Sequence, residues 1–390
     1  MIVLNEVLRD ARVLRAARSL HDLCDLQVIG VDRRKSPLDE SRARRELGLN
    51  IQWAPMAKTS RLPRNKLGYT ARFAEVFCRA LRLAGRHRPH VVHAHDLDTL
   101  PIALIMQAMF RSRIVYDAHE LYRDTLWSGF RVMGINFSNL LEDYGMSRAS
   151  AIIACNRYRA KIMQEEYGAP VEPVVISNIP QAGEPVESDI LQRYVKQRNP
   201  GIRKVVLHQG GICAGRNIET VVASLPHLPT DTAIVLLGGG GDDYVDSLFR
   251  QAEELGVRDR LFQHPPVNHD ILLPMTCSAD VGIVIYGKTP RNNYYCAPNK
   301  LNEYAAARLP FVGADLPPIR DFIETWGVGE IFDPDDPRDL AEAIRKVLAD
   351  ENSLKSYRAN CDRAARECTW EKEADKLRAL YHHLGERIPR

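Results

Sequence analysis

The chain has no C-x-x-C pair: its cysteines, at 24, 78, 155, 213, 277, 296, 361 and 368, are scattered. That spacing excludes a disulfide framework and the usual structural zinc site, and predicts reduced, mostly buried thiols. No apolar run approaches the roughly 18 residues that a membrane span needs. The N-terminal stretch MIVLNEVLRDARVLRAARSL meets Glu6 and Asp10 before any long apolar run and offers no small-residue cleavage site, so no secretory signal is expected and a cytoplasmic location follows. Net charge is only +3, too small to suggest a nucleic-acid partner. Repeats and low-complexity tracts are also missing.

What is present is an ordinary globular composition, 45% hydrophobic and 26% charged, over 390 residues. That length is too great for one core and predicts two domains. Short Val- and Ile-rich runs alternate with helical patterns: IVL near residue 3, then 25–31, 90–95, 113–119 and 151–155. They read as parallel strands covered on both faces, joined by right-handed crossovers. The rhythm stops in IPQAGEPVESDILQRYVKQRNPGIRK and restarts at 204–210, 233–239, 260–264, 280–286 and 309–314. The expected architecture is α/β, two doubly wound, Rossmann-like domains facing each other across a cleft. Residues 1–180 form the first, 181–203 a linker, 204–368 the second, and 369–390 a helix packing back across the linker. Between Arg33 and Arg88 there are 15 Lys or Arg against 4 Asp or Glu, an excess of +11 that should face something negative.

Two literal motif matches fail on context. Gly282 to Thr289 fits the phosphate-loop pattern G-x-x-x-x-G-K-T, but the strand occupies the variable positions and Pro290 follows where a helix should start. The glycines from 238 to 241 resemble a dinucleotide fingerprint, yet Asp243 holds the third glycine position, so a tight strand-to-helix turn is the better reading. His93, His95, Asp96 and Asp98 make H-x-H and D-x-D patterns. Spacing places no third ligand, so the histidines read as structural and the aspartates as helix caps.

Nucleotide chemistry is legible further on. CAPNKLNEYAAARLPFVGAD sets Lys300 and Glu303 one turn apart at a helix start, with Pro298 suited to the first turn. Lys300 with free backbone N–H groups can face phosphate, and Glu303 can accept from ribose hydroxyls. In KVVLHQGGICAGRNIETVVASL, Gly210 and Gly211 permit close backbone approach and Arg216 opens a helix where it can clamp phosphate. His119, followed by Glu120, sits at a strand end where imidazole can meet a sugar hydroxyl. The stretch from Lys66 to Leu83 is a basic amphipathic helix whose Leu67, Phe73, Val76, Phe77 and Leu81 read as core, although the local charge also suits anionic lipid.

DARVLRAARSL, HAHDLDTLPIA, RIVYDAHEL, HQGGICAGRNIE and PNKLNEYAAARLPFV together resemble the ordered signatures of the retaining family 4 glycosyltransferases of the GT-B fold, over nearly the whole chain. The resemblance implies a nucleotide-diphospho-sugar held by the second domain, an acceptor (a saccharide or polyprenyl-linked one) held by the first, and no required metal or other cofactor. Arg216 falls where the family has a diphosphate-binding lysine, Lys300 at its phosphate-facing helix start, Glu303 at its ribose-binding glutamate, and His119 at its histidine near the donor sugar. Gly210, Gly211, Tyr295, Pro298 and Asn299 fall on the donor side, with base recognition near Pro266 and Val267. Asp96 and Glu120 fall on the acceptor side. Four positions depart from the pattern: Gly211 replaces an arginine, Tyr295 the first of two glutamates eight apart, Arg308 a glycine, and the Asn5–Arg9 loop lacks its glycine. The implied activity is retaining hexosyl or N-acetylhexosaminyl transfer in cell-envelope polysaccharide or glycolipid synthesis, with a peripheral station on an anionic membrane. The alternatives are a GT-B sugar-nucleotide epimerase and a catalytically silent nucleotide-binding scaffold.

Overall fold

Val- and Ile-rich runs too short to be helices become the inner strands of two parallel sheets. The computed structural model describes residues 1–31, 48–54, 66–125, 131–132, 135–180 and 183–386. The chain divides into two compact units, Met1–Asn178 with Glu371–Arg390, and Ile179–Trp370.

The first unit is built on β1 (Ile2–Glu6), β2 (Val28–Val31), β3 (Ile51–Trp53), β4 (Val91–His95), β5 (Arg113–Ala118), β8 (Ala151–Ala154) and β9 (Val174–Val175), with a small antiparallel pair, β6 (Arg131–Val132) and β7 (Ile135–Asn136). The seven parallel strands run in the order β3-β2-β1-β4-β5-β8-β9. The order in which strands are added reverses between β1 and β4, the switch point of a doubly wound fold. β2, β4, β5 and β8 are buried almost throughout, as strands covered on both faces must be. The helix Trp370–Glu386 closes this unit from the far end of the chain: Ala374, Leu377 and Leu384 are buried, and Glu373 accepts a hydrogen bond from the Ser177 N–H at 2.8 Å.

The second unit has β10 (Lys204–Gln209), β11 (Thr232–Leu237), β12 (Leu261–His264), β13 (Val281–Val284), β14 (Phe311–Ala314) and β15 (Gly329–Phe332), all parallel, in the order β12-β11-β10-β13-β14-β15. One continuous core runs from Leu191 to Ala364.

Several expectations need correction. The stretch read as a linker, 181–203, lies in the second unit, because the helix Ile190–Lys196 buries Leu191 and Val195 in that core. Strands β3, β9 and β15 are additional; each is too short or too mixed in polarity to declare itself by pattern. None of the cysteines is in a disulfide, but only Cys155, Cys296 and Cys361 are buried. The basic helix spans Lys66–His87, and two residues read as core face solvent, Leu67 at 79% and Phe73 at 48% exposure. Much of the basic stretch from 33 to 88 lies outside the described residues.

Candidate functional site

In the second unit β10 ends at Gln209, and Gly210 turns the chain with φ of +113°, a conformation that favours glycine. A Cβ on Gly210 would stand 3.1 Å from Cε of Lys300, and one on Gly211 3.4 Å from an Arg216 guanidinium nitrogen. The glycine pair thus lets two cationic side chains lie against the turn. The Arg216 guanidinium and the Lys300 ammonium are each 5.3 Å from the centre of the Tyr286 ring, so groups from two separate turns share one aromatic face or edge. Gly238, in the turn after β11, is held so near that a Cβ would lie 1.9 Å from the Gly210 carbonyl oxygen. The 238–241 glycines are therefore a tight turn before the helix Asp242–Glu254.

Lys300 is 5% exposed, and its Nζ is buried without a hydrogen-bond partner among the described residues. Burial, then repulsion from Arg216, pulls its pKa down to about 7. His208 beside it is fully buried with both ring nitrogens unpartnered; burial and the two cations hold it neutral. An uncompensated buried ammonium is costly, and a polyanion bound here would supply its missing partner.

Glu303 lies on the same seven-residue helix, Lys300–Ala306, and accepts from the Gln209 side-chain amide at 2.5 Å. Pro298 does not occupy the first helical turn: Asn299 is the N-cap, and its carbonyl takes the N–H groups of Asn302 and Glu303. Those N–H groups are used inside the helix, and the Lys300 side chain lies against the Gly210 turn. Arg216 likewise precedes its helix, which starts at Ile218 after a left-handed Asn217. Tyr295 caps the short helix Arg291–Tyr294, its ring 4.9 Å from that of Tyr294. Val267 packs on the core in the loop where Pro266 approaches Gly239.

In the first unit, His119 follows β5. Its Nδ1 is 3.2 Å from Asp96 Oδ2 and its N–H donates to Asp96 Oδ1 at 3.1 Å. Its Nε2 is 3.6 Å from Asp117 Oδ2 and 3.3 Å from His95 Nδ1. Arg12 forks onto Asp117 with bonds of 2.7 and 3.1 Å, and donates to the Ile176 carbonyl at 2.9 Å. Burial disfavours a charged imidazole, but Asp96 and Asp117 outweigh it and hold the His119 pKa well above its ordinary value. Burial likewise opposes the Asp117 charge, and Arg12 with His119 keeps that carboxylate ionised. His93 is driven down to about 3 by burial and by His95, so it stays neutral, its Nδ1 3.0 Å from the Tyr381 hydroxyl.

Asp96 is not the helix cap its position suggested. Its carboxylate makes no cap bond and turns instead to His119, with backbone φ of +68°, a region that costs a non-glycine residue. Asp98 is pushed up to about 7 by burial and by Asp96, so the two carboxylates have different charges near neutrality. Glu120 is engaged by Arg159 at 2.9 Å, and Arg159 also donates to the His119 carbonyl.

The fold does bring a third group to the H-x-H pair: ligand atoms of His93, His95 and Asp117 lie within 4.8 Å of one another. Both Asp117 oxygens are already on the Arg12 guanidinium, however, and a cation would have to sit against that charge. A cavity of about 870 Å³, lined by Met1, His87, His90, His93 and Tyr381, opens at the amino-terminal ends of β1 and β4. Ligands of such sheets bind at the opposite, carboxyl ends, where His119 lies. Sequence reasoning missed Arg12, Asp117, His208, Gln209, Thr276 and Tyr286. The available signals were an arginine within an apolar helical face, DARVLRAARSL, and a lone aspartate inside the strand RIVYDA.

A family model for the Glycosyl transferase 4-like domain matches residues 10–178, and one for Glycosyl transferases group 1 matches residues 193–367. The D-inositol 3-phosphate glycosyltransferase of Xylanimonas cellulosilytica is 26% identical over 257 residues, covering 64% of this chain and 60% of that protein, so the match spans less than two thirds of that relative. Among solved structures, Anabaena HepE in complex with UDP and glucose superposes with a TM-score of 0.75 at 15% identity, covering 98% of both chains. Sucrose-phosphate synthase from Thermosynechococcus elongatus gives 0.75 at 16% identity, covering 96% of this chain and 92% of that one. At such identities the likeness speaks for the fold.

Proposed function

Because this chain belongs to the family 4 glycosyltransferases and has their two Rossmann-like, GT-B-type domains, we propose that it transfers a hexosyl or N-acetylhexosaminyl unit from a nucleotide-diphospho-sugar, with retention, to a saccharide or polyprenyl-linked acceptor. Cell-envelope polysaccharide or glycolipid assembly is the proposed setting. The observation that carries the donor assignment is the buried, unpartnered Lys300 ammonium beside Arg216. Two protein cations would neutralise the diphosphate as it leaves, so the reaction is proposed to need no metal. In the front-face course favoured here, the departing diphosphate oxygen takes the acceptor hydroxyl's proton while that hydroxyl oxygen bonds to the anomeric carbon. Glu303 takes the ribose hydroxyls, and the His119 imidazolium, held charged by Asp96 and Asp117, is proposed as a fixed positive group at the carboxyl end of the first unit's sheet.

HepE was solved with UDP and glucose, which makes UDP-sugars the first donors to test. A thermal-shift screen of UDP-, GDP- and dTDP-sugars should find one stabilising donor. Lys300→Ala should then cut turnover by about 2.7–4 kcal/mol of barrier, and near-normal turnover would remove Lys300 from the mechanism.

A membrane station is proposed for the first unit. No helix among the described residues is long and apolar enough to cross a membrane. The helix Lys66–His87 exposes Leu67, Tyr69 and Phe73 beside Arg72, and the helix Phe137–Arg148 exposes Leu140 and Tyr144. Apolar side chains with nearby cations suit an anionic lipid surface. Flotation with phosphatidylglycerol vesicles should exceed that with phosphatidylcholine and fall in a Leu67→Glu/Phe73→Glu variant; equal flotation on both lipids would end this part of the proposal.

A further inference from the structure

Gln209 is the last residue of β10 and is almost fully buried, as is Thr276 on the helix His269–Cys277. A buried amide must satisfy both its ends, and this one does so across three elements. Its Nε2 donates to Glu303 Oε2 at 2.5 Å, and its Oε1 accepts from the Thr276 hydroxyl at 2.8 Å. The orientation is forced: a carboxylate only accepts, so the NH2 end must face Glu303, and the carbonyl end must then face Thr276. The Thr276 hydroxyl also lies 2.8 Å from the Leu272 carbonyl, but its single proton is required by Gln209. The next residue on the helix is tied to the same strand end, because the Gln209 N–H donates to the Tyr304 hydroxyl at 3.2 Å and that hydroxyl reaches the Leu207 carbonyl at 3.1 Å.

The terminal torsion of a glutamate is broad, so an unheld carboxylate samples many orientations. A bond from a buried, itself immobilised amide narrows that freedom before ligand arrives. We infer that Gln209, locked by Thr276, is a positioning residue that presents the Glu303 carboxylate to the ribose and thereby sets the site's preference for ribonucleotides. This rests on the ribose role proposed for Glu303.

The test is calorimetric titration of the full chain and of Gln209→Leu, Thr276→Val and Glu303→Ala with UDP and GDP and with their 2′,3′-dideoxy counterparts. The wild type should prefer the ribonucleotide of the base it accepts, and Glu303→Ala should abolish that preference. Gln209→Leu and Thr276→Val should each weaken ribonucleotide binding about tenfold, the size of one hydrogen bond to a charged group, and leave dideoxynucleotide binding unchanged. A purely structural role would weaken both nucleotides alike, and that result overturns the inference. So does a full ribose preference in both Gln209→Leu and Thr276→Val when Glu303→Ala has lost it, an outcome that leaves the proposed nucleotide site standing. A ribose preference surviving Glu303→Ala, or binding of neither UDP nor GDP by the wild type, instead removes the reading underneath. Should Gln209→Leu fail to fold by circular dichroism, Thr276→Val decides alone, since it keeps the amide.

Discussion

Lys300 costs the protein stability where it is proposed to serve binding. Its pKa is depressed to about 7 by burial and Arg216, so the folded state holds its proton less tightly than the unfolded chain. The penalty is full below that value and shrinks as pH rises toward the ordinary lysine value. Lys300→Met should therefore stabilise the ligand-free protein by about 0.5–2 kcal/mol at pH 7, an advantage that fades at higher pH in urea unfolding. Nucleotide affinity in the wild type should fall above pH 7, by up to about tenfold per unit, because binding must then take up a proton. Calorimetry in buffers of different ionisation enthalpy reads that proton directly. His119 runs the other way. Its raised pKa gives stability that is complete below the ordinary histidine value and is lost as pH climbs through the folded one. Its partner Asp96 is lowered by His119 against the effect of burial, so the pair's contribution spans the interval between them. Asp96→Asn should cost about 1.5–3 kcal/mol at pH 6 and clearly less at pH 9.

At the scale of elements, the strands were legible where burial on both faces wrote a continuous apolar run, as in TAIVLL of β11. GEIF and IQW are edge or near-edge strands with mixed faces, and periodicity does not separate them from loop. Lys300, Arg216 and Glu303, the groups proposed to meet the nucleotide, were visible because charge beside glycine and a helix start is unusual locally. Gln209, Thr276, Arg12 and Asp117 were not: their meaning comes from partners far away in sequence, such as Arg12 with Asp117, and no local pattern encodes that. The helix Trp370–Glu386, read from the sequence as one that packs back across the linker, groups with the first unit. Leu377, buried there, should cost about 2–5 kcal/mol when changed to alanine. Hydrogen exchange should place the loosening in β4 and β5, whose His93 and Arg113 bond to Tyr381 and the Leu384 carbonyl.

For the whole molecule, two parallel sheets of related order were the part of the fold most open to inference, because each unit repeats one rhythm of apolar strand and covering helix. Where the first unit ends was less open, as its boundary is set by a segment nearly two hundred residues downstream. That discontinuity has a consequence for biosynthesis. On the ribosome the unit that emerges first cannot seal its core until the residues through Glu386 have left the exit tunnel, whereas Ile179–Trp370 is contiguous and can fold as it appears. Nascent chains ending at residue 370 and tethered to the ribosome by a linker long enough to span the tunnel should accordingly show a protease-resistant later portion behind a labile leading one, a vectorial order opposite to that of translation.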